Sequence, residues 1–376
     1  DTPVTTAAAA GPPPTTPPRH RLVSLDALRG LTILGMLLVN NMALDEKTPR
    51  QLTHAGWNQG ITFADLVFPW FLFIVGVAIP YSYASARRRG VPVWQYDLRV
   101  LGRSLTLVAL GCFIDSAMIR ALYFDLGVLQ LIGLAYLVSA LLYELPVSRR
   151  LLLAALLLAG YWWLLKWMPV PGHGFVFTEE TNIINHLNSV YLARFHLNGL
   201  LSVIPTSALV MIGTVAGDLL RHERHAPERK AVLLLGLGLA LVVSGWVWSL
   251  DLPFNKPLWT ASYVLFTSGL GTVALAVLYL VLDVAGLQKW GLPLVMPGMN
   301  AIFLYVVPIL LKILVLQVWT YKLPDGSKLD LGTALMHFWF QLAGRTAGGW
   351  LYTLSYIVFW WLIAAWLYKR RIFMRV

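Results

Sequence analysis

Residues 51–83 read QLTHAGWNQGITFADLVFPWFLFIVGVAIPYSY. From Ile61 onward the run is apolar for long enough to cross a bilayer, which takes about 20 residues in helical form. His54 stands in the short polar loop before it, and Asp65 lies one turn inside it. A carboxylate near the end of an apolar span is costly unless it is paired or faces water. An imidazole beside such a site titrates near neutrality and can accept a proton. The stretch therefore predicts a membrane-spanning helix and, at its outer end, a candidate reaction centre.

The rest of the chain extends this reading. It is 58% hydrophobic and 12% charged, with a mean hydropathy of +0.67, whereas soluble domains carry about 25% charged residues. The expected fold class is all-α, a polytopic transmembrane helical bundle. About ten stretches reach spanning length: 22–44, 61–84, 98–118, 122–143, 149–168, 197–220, 231–250, 258–282, 293–319 and 350–368. Pro297-Gly298 and Pro308 predict a kink or break in the ninth. Residues 335–343 read as an interfacial or re-entrant piece. No internal repeat is evident, which weighs against an inverted-repeat transporter.

Residues 1–21 (DTPVTTAAAAGPPPTTPPRHR) cannot bury apolar surface and read as a disordered arm, leaving 22–376 as one transmembrane domain. The chain opens on Asp1 rather than Met, so a longer precursor is expected. Its first apolar run is too long for a signal-peptide core and reads as a true span. Cys112, the one cysteine, excludes an internal disulfide and a multi-cysteine metal site, and no metal is expected.

Lysine and arginine set the orientation. Alternate connections gather Arg19 and Arg21, then Arg87, Arg88, Arg89, Arg99 and Arg103, then Arg149 and Arg150. Arg221, Arg224, Arg229 and Lys230 follow, and Lys289 with Lys369, Arg370, Arg371 and Arg375 close the set. The N- and C-termini are therefore expected to be cytoplasmic, and His54 periplasmic or luminal. This asymmetry accounts for the net charge of +11. The implied partner is the lipid bilayer, and nucleic acid needs no place.

Asp26 and Arg29 in SLDALRG lie i,i+3 on one helical face. They read either as a structural ion pair or as a hold on a polar group entering from the cytoplasm. Asn40 follows about 21 Å further along the same helix. Its amide either ends the helix or orients a substrate and stabilises an oxyanion. His54 alone is an ordinary loop histidine. With Asp65 eleven residues on, it becomes a candidate base whose tautomer the carboxylate fixes. Trp57 and Asn58 stand beside it as candidate substrate contacts.

His222 and His225 fall in a charged loop and lack H-E-x-x-H spacing, so they read as solvated. His173, His186 and His196 lie in the outer loop 169–196, which is long enough to act as a lid. Tryptophans such as Trp162, Trp163, Trp246 and Trp248 sit near span ends as an aromatic belt. Neither G-x-x-x-x-G-K-[ST] nor G-x-S-x-G occurs, so an ATPase or serine hydrolase has no motif support.

The blocks RLVSLDALRGLTILGMLLVNN, HAGWNQGITFADLVFPWFLFIVGVAIPYS, GVLQLIGLAYL, NGLLSVIPTSALVMIGTVAGDLL, MPGMNAIFLYV and YKRRIFMRV occur in this order. The chain from about residue 21 onward resembles the transmembrane acyltransferases typified by heparan-α-glucosaminide N-acetyltransferase and their bacterial NagX-type relatives. The resemblance implies acetyl-CoA as a cytoplasmic co-substrate and an acceptor arriving from the outer side. It matches His54 to the active-site histidine, Asn40 to the asparagine of the first span and Asp65 to the aspartate of the second. Asn300 and Tyr305 match cavity-lining positions. Homodimers occur in such families. Two departures bear on the acceptor: Leu131 stands where relatives often carry Arg, and His196-Leu197-Asn198-Gly199 stands where many read D-P-E-G. Both favour a neutral sugar hydroxyl or another acyl donor over a cationic acceptor.

The resulting expectation is acyl transfer through the bilayer of the bacterial inner membrane. Acetyl-CoA would be held by Arg99, Arg103 and other cytoplasmic arginines, and by Asp26, Arg29, Asn300 and Tyr305. A sugar or amino sugar would be acetylated on the outer side with His54 as base. An acetyl-histidine intermediate is the competing route. The rival class is an amino-sugar transporter without acyl transfer, which needs neither an outer histidine nor affinity for coenzyme A.

Overall fold

In hydrocarbon every backbone N–H and C=O must be paired within its own segment, so long apolar runs become helices. The computed structural model describes residues 22–322 and 328–374. The expected disordered arm, 1–21, lies outside the described residues. Helix α1 spans Val23–Asn40, α2 Phe63–Arg88, α3 Val93–Ile119, α4 Val128–Leu141 and α5 Val147–Trp167. The short α6 (Ile183–Leu187) precedes α7 (Val203–Arg221), α8 (Pro227–Ser249) and α9 (Ala261–Leu278), which a π-helical stretch, Tyr279–Val284, prolongs. Then come α10 (Gln288–Gly298), α11 (Ala301–Leu311) and α12 (Leu331–Lys369). Strands Thr320–Lys322 and Lys328–Asp330 form one small antiparallel pair.

The chain is an all-α polytopic bundle. Among the described residues, eight helices are long and apolar enough to cross a membrane, nine if the pair Gln288–Gly298 and Ala301–Leu316, bent by 49°, is one span. The expected ten become nine because 122–143 is not one helix. Arg120 adopts a left-handed conformation (φ 58°) that ends α3. Ser116 then holds Tyr123 through its backbone N–H and C=O, keeping 121–127 irregular. What remains, α4, has 14 residues and a length of about 21 Å, short of the roughly 30 Å hydrocarbon core. The break expected at Pro297-Gly298 is where α10 and α11 part. Residues 335–343 open α12 as helix, set off from the rest at Gly344, whose φ of 77° suits glycine.

Helices α2 and α7 form the enclosed centre. A Cβ on Gly76 would lie 2.2 Å from the Val210 carbonyl oxygen, and one on Gly213 would lie 2.4 Å from that of Phe73. Backbone thus meets backbone, the packing that small residues permit in membranes. Several buried threonine hydroxyls are satisfied within their own helices. Thr206, Thr267 and Thr272 each donate to the carbonyl four residues back. On the periphery, Trp163, Leu239, Trp246 and Trp366 are exposed, the faces a polytopic bundle turns to lipid.

The bundle has two distinct ends. At one, the Asp283 carboxylate accepts from the Val23 and Ser24 N–H groups at 3.2 and 3.0 Å, countering the positive end of α1. Asn300 donates to the Ile372 carbonyl at 3.1 Å and accepts from Met374 N–H at 2.8 Å. The start of α1 and the stretch after α12 therefore share this end. The opposite end gathers the C-terminus of α1, the loop 41–62, the loop 169–199 and the connection between α8 and α9.

Candidate active site

Asp65 is the third residue of α2, and its local sequence, T-F-A-D at 62–65, is a helix-start signature. The carboxylate turns back so that Oδ2 accepts from the Thr62 N–H at 3.2 Å. The same oxygen lies 3.0 Å from the Ala55 N–H and from the Thr62 hydroxyl. That hydroxyl is also 2.7 Å from the Thr53 carbonyl, so it donates to one of the two at a time. Tyr263, fully buried on α9, donates to the Asp65 carbonyl oxygen at 2.6 Å. These contacts fix the carboxylate and stitch the His54 loop to the helix behind it.

The other oxygen, Oδ1, lies 2.8 Å from His54 Nδ1. An ionised carboxylate only accepts, so the tautomer that bonds Oδ1 carries its proton on Nδ1 and leaves the Nε2 lone pair free. The His54 side chain is 56% exposed while Asp65 is 3% exposed. The imidazole is thus reachable from outside while its orienting partner is not. A reachable base with a buried carboxylate behind it is the arrangement that general-base and nucleophilic catalysis share.

A third charged side chain, which sequence reading did not single out, meets this pair. Lys256 Nζ lies 3.4 Å from Asp65 Oδ1 and 3.0 Å from His54 Nδ1. It sits between Asn255 and Pro257 in the α8–α9 connection. Burial pushes its ammonium below the ordinary lysine value, and the Asp65 carboxylate opposes that shift. Neighbouring Asn255 is buried and donates to Asn58 Oδ1 at 3.0 Å. It also accepts from the Leu258 N–H at 3.0 Å. No spacing in the sequence signals a residue 202 positions from His54.

The other expected residues are distributed as follows. Asn40 ends α1 at this same end of the bundle. Its carbonyl accepts from Lys312 Nζ at 3.3 Å, and its exposed side chain makes no hydrogen bond with His54 or Asp65. Trp57 packs on Phe177 of the loop 169–199 with ring centroids 5.6 Å apart. That loop is ordered, with Ile183 and Ile184 buried against Tyr161, Leu252 and Leu258. Asn58 takes a left-handed conformation (φ 56°) that closes the His54 loop.

Asp26, Arg29 and Asn300 belong to the far end. Arg29 and Asp26 form the i,i+3 ion pair at 3.0 Å. Asn300 is fully buried, and its amide is engaged with the backbone after α12. Tyr305 is partly buried against the main core. Arg99 and Arg103 lie exposed one turn apart near the start of α3. Arg150, another cytoplasmic candidate, is buried and committed: it donates to the Leu145 carbonyl, to Thr214 and to Asp218. A cavity of about 680 Å³ lies beside it, lined by Tyr83, Tyr143, Glu144, Asp218, Arg221 and His222 among others. His222 and His225 stack with centroids 4.4 Å apart.

The departures from the family pattern also have places. Leu131 is buried in the core. His196 is left-handed (φ 56°), and Asn198 donates to Asp125 Oδ2 at 2.9 Å.

The family profile described as heparan-alpha-glucosaminide N-acetyltransferase, catalytic, matches residues 21–245. The human heparan-alpha-glucosaminide N-acetyltransferase is 30% identical over 351 residues, covering 76% of this chain and 52% of that protein. The mouse protein of the same name is 28% identical over 352 residues, covering 76% and 53%. The chain thus spans about half the length of the curated relatives it matches. It belongs to the heparan-α-glucosaminide N-acetyltransferase catalytic-domain family.

Proposed function

We propose that this membrane protein transfers an acetyl group from acetyl-CoA to a sugar or amino sugar across the bilayer, with His54 as general base and Asp65 as its orienting carboxylate. The observation that carries the reading is the 2.8 Å contact between His54 Nδ1 and a carboxylate whose second oxygen is already engaged by the backbone and Thr62. A carboxylate needed only to cap α2 would require Oδ2 alone. The pairing of Oδ1 with an exposed imidazole is what a base needs.

The lysine and arginine asymmetry assigns the end holding the start of α1 to the cytoplasm. The His54 end is then periplasmic or luminal. Acetyl-CoA enters from the cytoplasmic end, where the exposed guanidinium groups of Arg99 and Arg103 suit its phosphates. The acceptor nitrogen or oxygen attacks the thioester carbonyl carbon, and His54 Nε2 takes the acceptor proton. A carbon–nitrogen or carbon–oxygen bond forms, the carbon–sulfur bond breaks, and the released thiolate takes up a proton. General-base help of this kind contributes about 10²–10⁴-fold. Asn40, at the same end, is the candidate donor to the developing oxyanion.

The test is acetyl transfer from radiolabelled acetyl-CoA to glucosamine, N-acetylglucosamine and cell-wall sugars by the purified protein. Coenzyme A stabilises the fold against heat if the donor site exists, by RT ln(1 + [L]/Kd). Stabilisation by free sugar alone, with no transfer to any acceptor, refutes the enzyme reading in favour of a transporter. Stoichiometric label on His54 without acceptor replaces the direct transfer by an acetyl-histidine route.

A further inference from the structure

The segment D-L-P-F-N-K-P-L-W-T, residues 251–260, links α8 to α9. Pro253 and Pro257 restrict its backbone. Asn255 is held by Thr260, Leu258 and Asn58, and Ser262 and Thr260 donate to carbonyls at 252 and 253. Lys256 is therefore projected from a fixed loop, not from a mobile one. Its side chain is 27% exposed, and its ammonium faces inward to Asp65 and His54.

The charged groups in contact with the imidazole come from two elements. Asp65 approaches from α2 and Lys256 from the α8–α9 connection. Arg50 lies in the loop ahead of His54, its guanidinium 3.5 Å from the Gln59 carbonyl. Asp65 Oδ1 faces two would-be cations, an ammonium at 3.4 Å and an imidazole nitrogen at 2.8 Å. One carboxylate neutralises one of them. A protonated His54 would leave a like-charge contact at 3.0 Å from Lys256, which opposes protonation.

We propose that Lys256 is a positioning residue that occupies the charge of Asp65 and so keeps the His54 imidazole neutral. Asp65 alone would both orient the ring and favour imidazolium, which is useless as a base. Lys256 offsets the electrostatic pull of the carboxylate, while its ammonium and Asp65 Oδ1 compete for the same ring nitrogen. The role rests on the acyl-transfer reading, but the charge effect is measurable without turnover. Lys256 also lies beyond residue 245, where the family match ends.

The experiment uses the full chain in detergent. Diethyl pyrocarbonate acylates neutral imidazole, and mass spectrometry of the peptide carrying His54 gives its extent of modification against pH. In Lys256→Met, and in Lys256→Gln should the methionine variant fail to fold, the pH of half-modification rises by about one unit or more. Lys256→Arg keeps the cation and stays close to wild type. The acid limb of acetyl transfer moves upward in parallel. An unchanged modification curve in both Lys256→Met and Lys256→Gln overturns the inference and leaves Lys256 a structural tether. A shifted curve in a protein that transfers no acetyl group upholds the charge effect and refutes the acyltransferase reading instead.

Discussion

Asp65→Asn tests the site at its narrowest point. The amide keeps the size of the carboxylate but has one acceptor oxygen. Three donors, from Ala55, Thr62 N–H and the Thr62 hydroxyl, converge on the Oδ2 position, so the amide oxygen settles there. The NH₂ group then faces His54 Nδ1 at about hydrogen-bond distance and can only donate. His54 is driven to the tautomer with its proton on Nε2, which cannot act as base. The corresponding aspartate-to-asparagine change in serine proteases lowers turnover by about 10⁴ for the same reason. At about 1.36 kcal/mol per tenfold, a loss of 10³–10⁴ raises the barrier by about 4–5.5 kcal/mol. Stability falls less, by about 1–3 kcal/mol, since Oδ2 contacts persist while charge-assisted bonds to Oδ1 are lost. The assay is single-turnover acetyl transfer, with thermal unfolding in detergent as the control. A folded Asp65→Asn protein retaining more than about a tenth of wild-type turnover would refute the orienting role.

Other expectations follow from the same geometry. His54→Ala lowers transfer to near background while coenzyme A still raises the melting temperature; equal loss of both would move His54 out of the chemistry. Replacing Arg99 and Arg103 together with alanine raises the donor KM, most at low ionic strength, because salt already screens exposed charges; a salt-independent change would argue against phosphate capture. Gly213→Val drives a side chain against the Phe73 carbonyl, where even a Cβ would sit 2.4 Å away, and should cost about 1–3 kcal/mol or more in thermal or denaturant unfolding; a neutral change would show that the α2–α7 contact is loose. Burial lowers the Lys256 value, so the folded protein releases this proton at lower pH than the unfolded chain, whose lysine titrates near 10.4. Stability of wild type relative to Lys256→Met should therefore be flat below the folded value, rise with pH between the two values, and be flat again above. A difference that falls with rising pH would contradict the buried placement.

Local physics written in consecutive residues was legible without tertiary structure. Apolar run length gave the spans, Pro297-Gly298 gave the α10–α11 break, and i,i+3 spacing gave the Asp26–Arg29 pair. His54 and Asp65 were also readable together, because eleven residues of tight loop and one helical turn leave them little freedom to separate. The T-F-A-D start of α2 was equally present in the sequence. It explains why Asp65 is tolerated at that depth: its carboxylate also caps the helix.

What the sequence left undetermined depends on which helices become neighbours. Val128–Leu141 fell short of a span because Ser116 folds back onto Tyr123. Arg150, one basic residue among many in the sequence, is spent on Thr214 and Asp218 because α5 packs on α7. Asn300 holds backbone more than seventy positions away. Lys256 reaches His54 and Asp65 because α9 lies against α2, with Tyr263 bonded to the Asp65 carbonyl and Trp70 to that of Thr267. Helix formation is a local hydrogen-bonding problem that a short window of sequence solves. The pairing of a lysine with a histidine 202 positions away is set by side-chain packing between helices, and only the folded chain decides it.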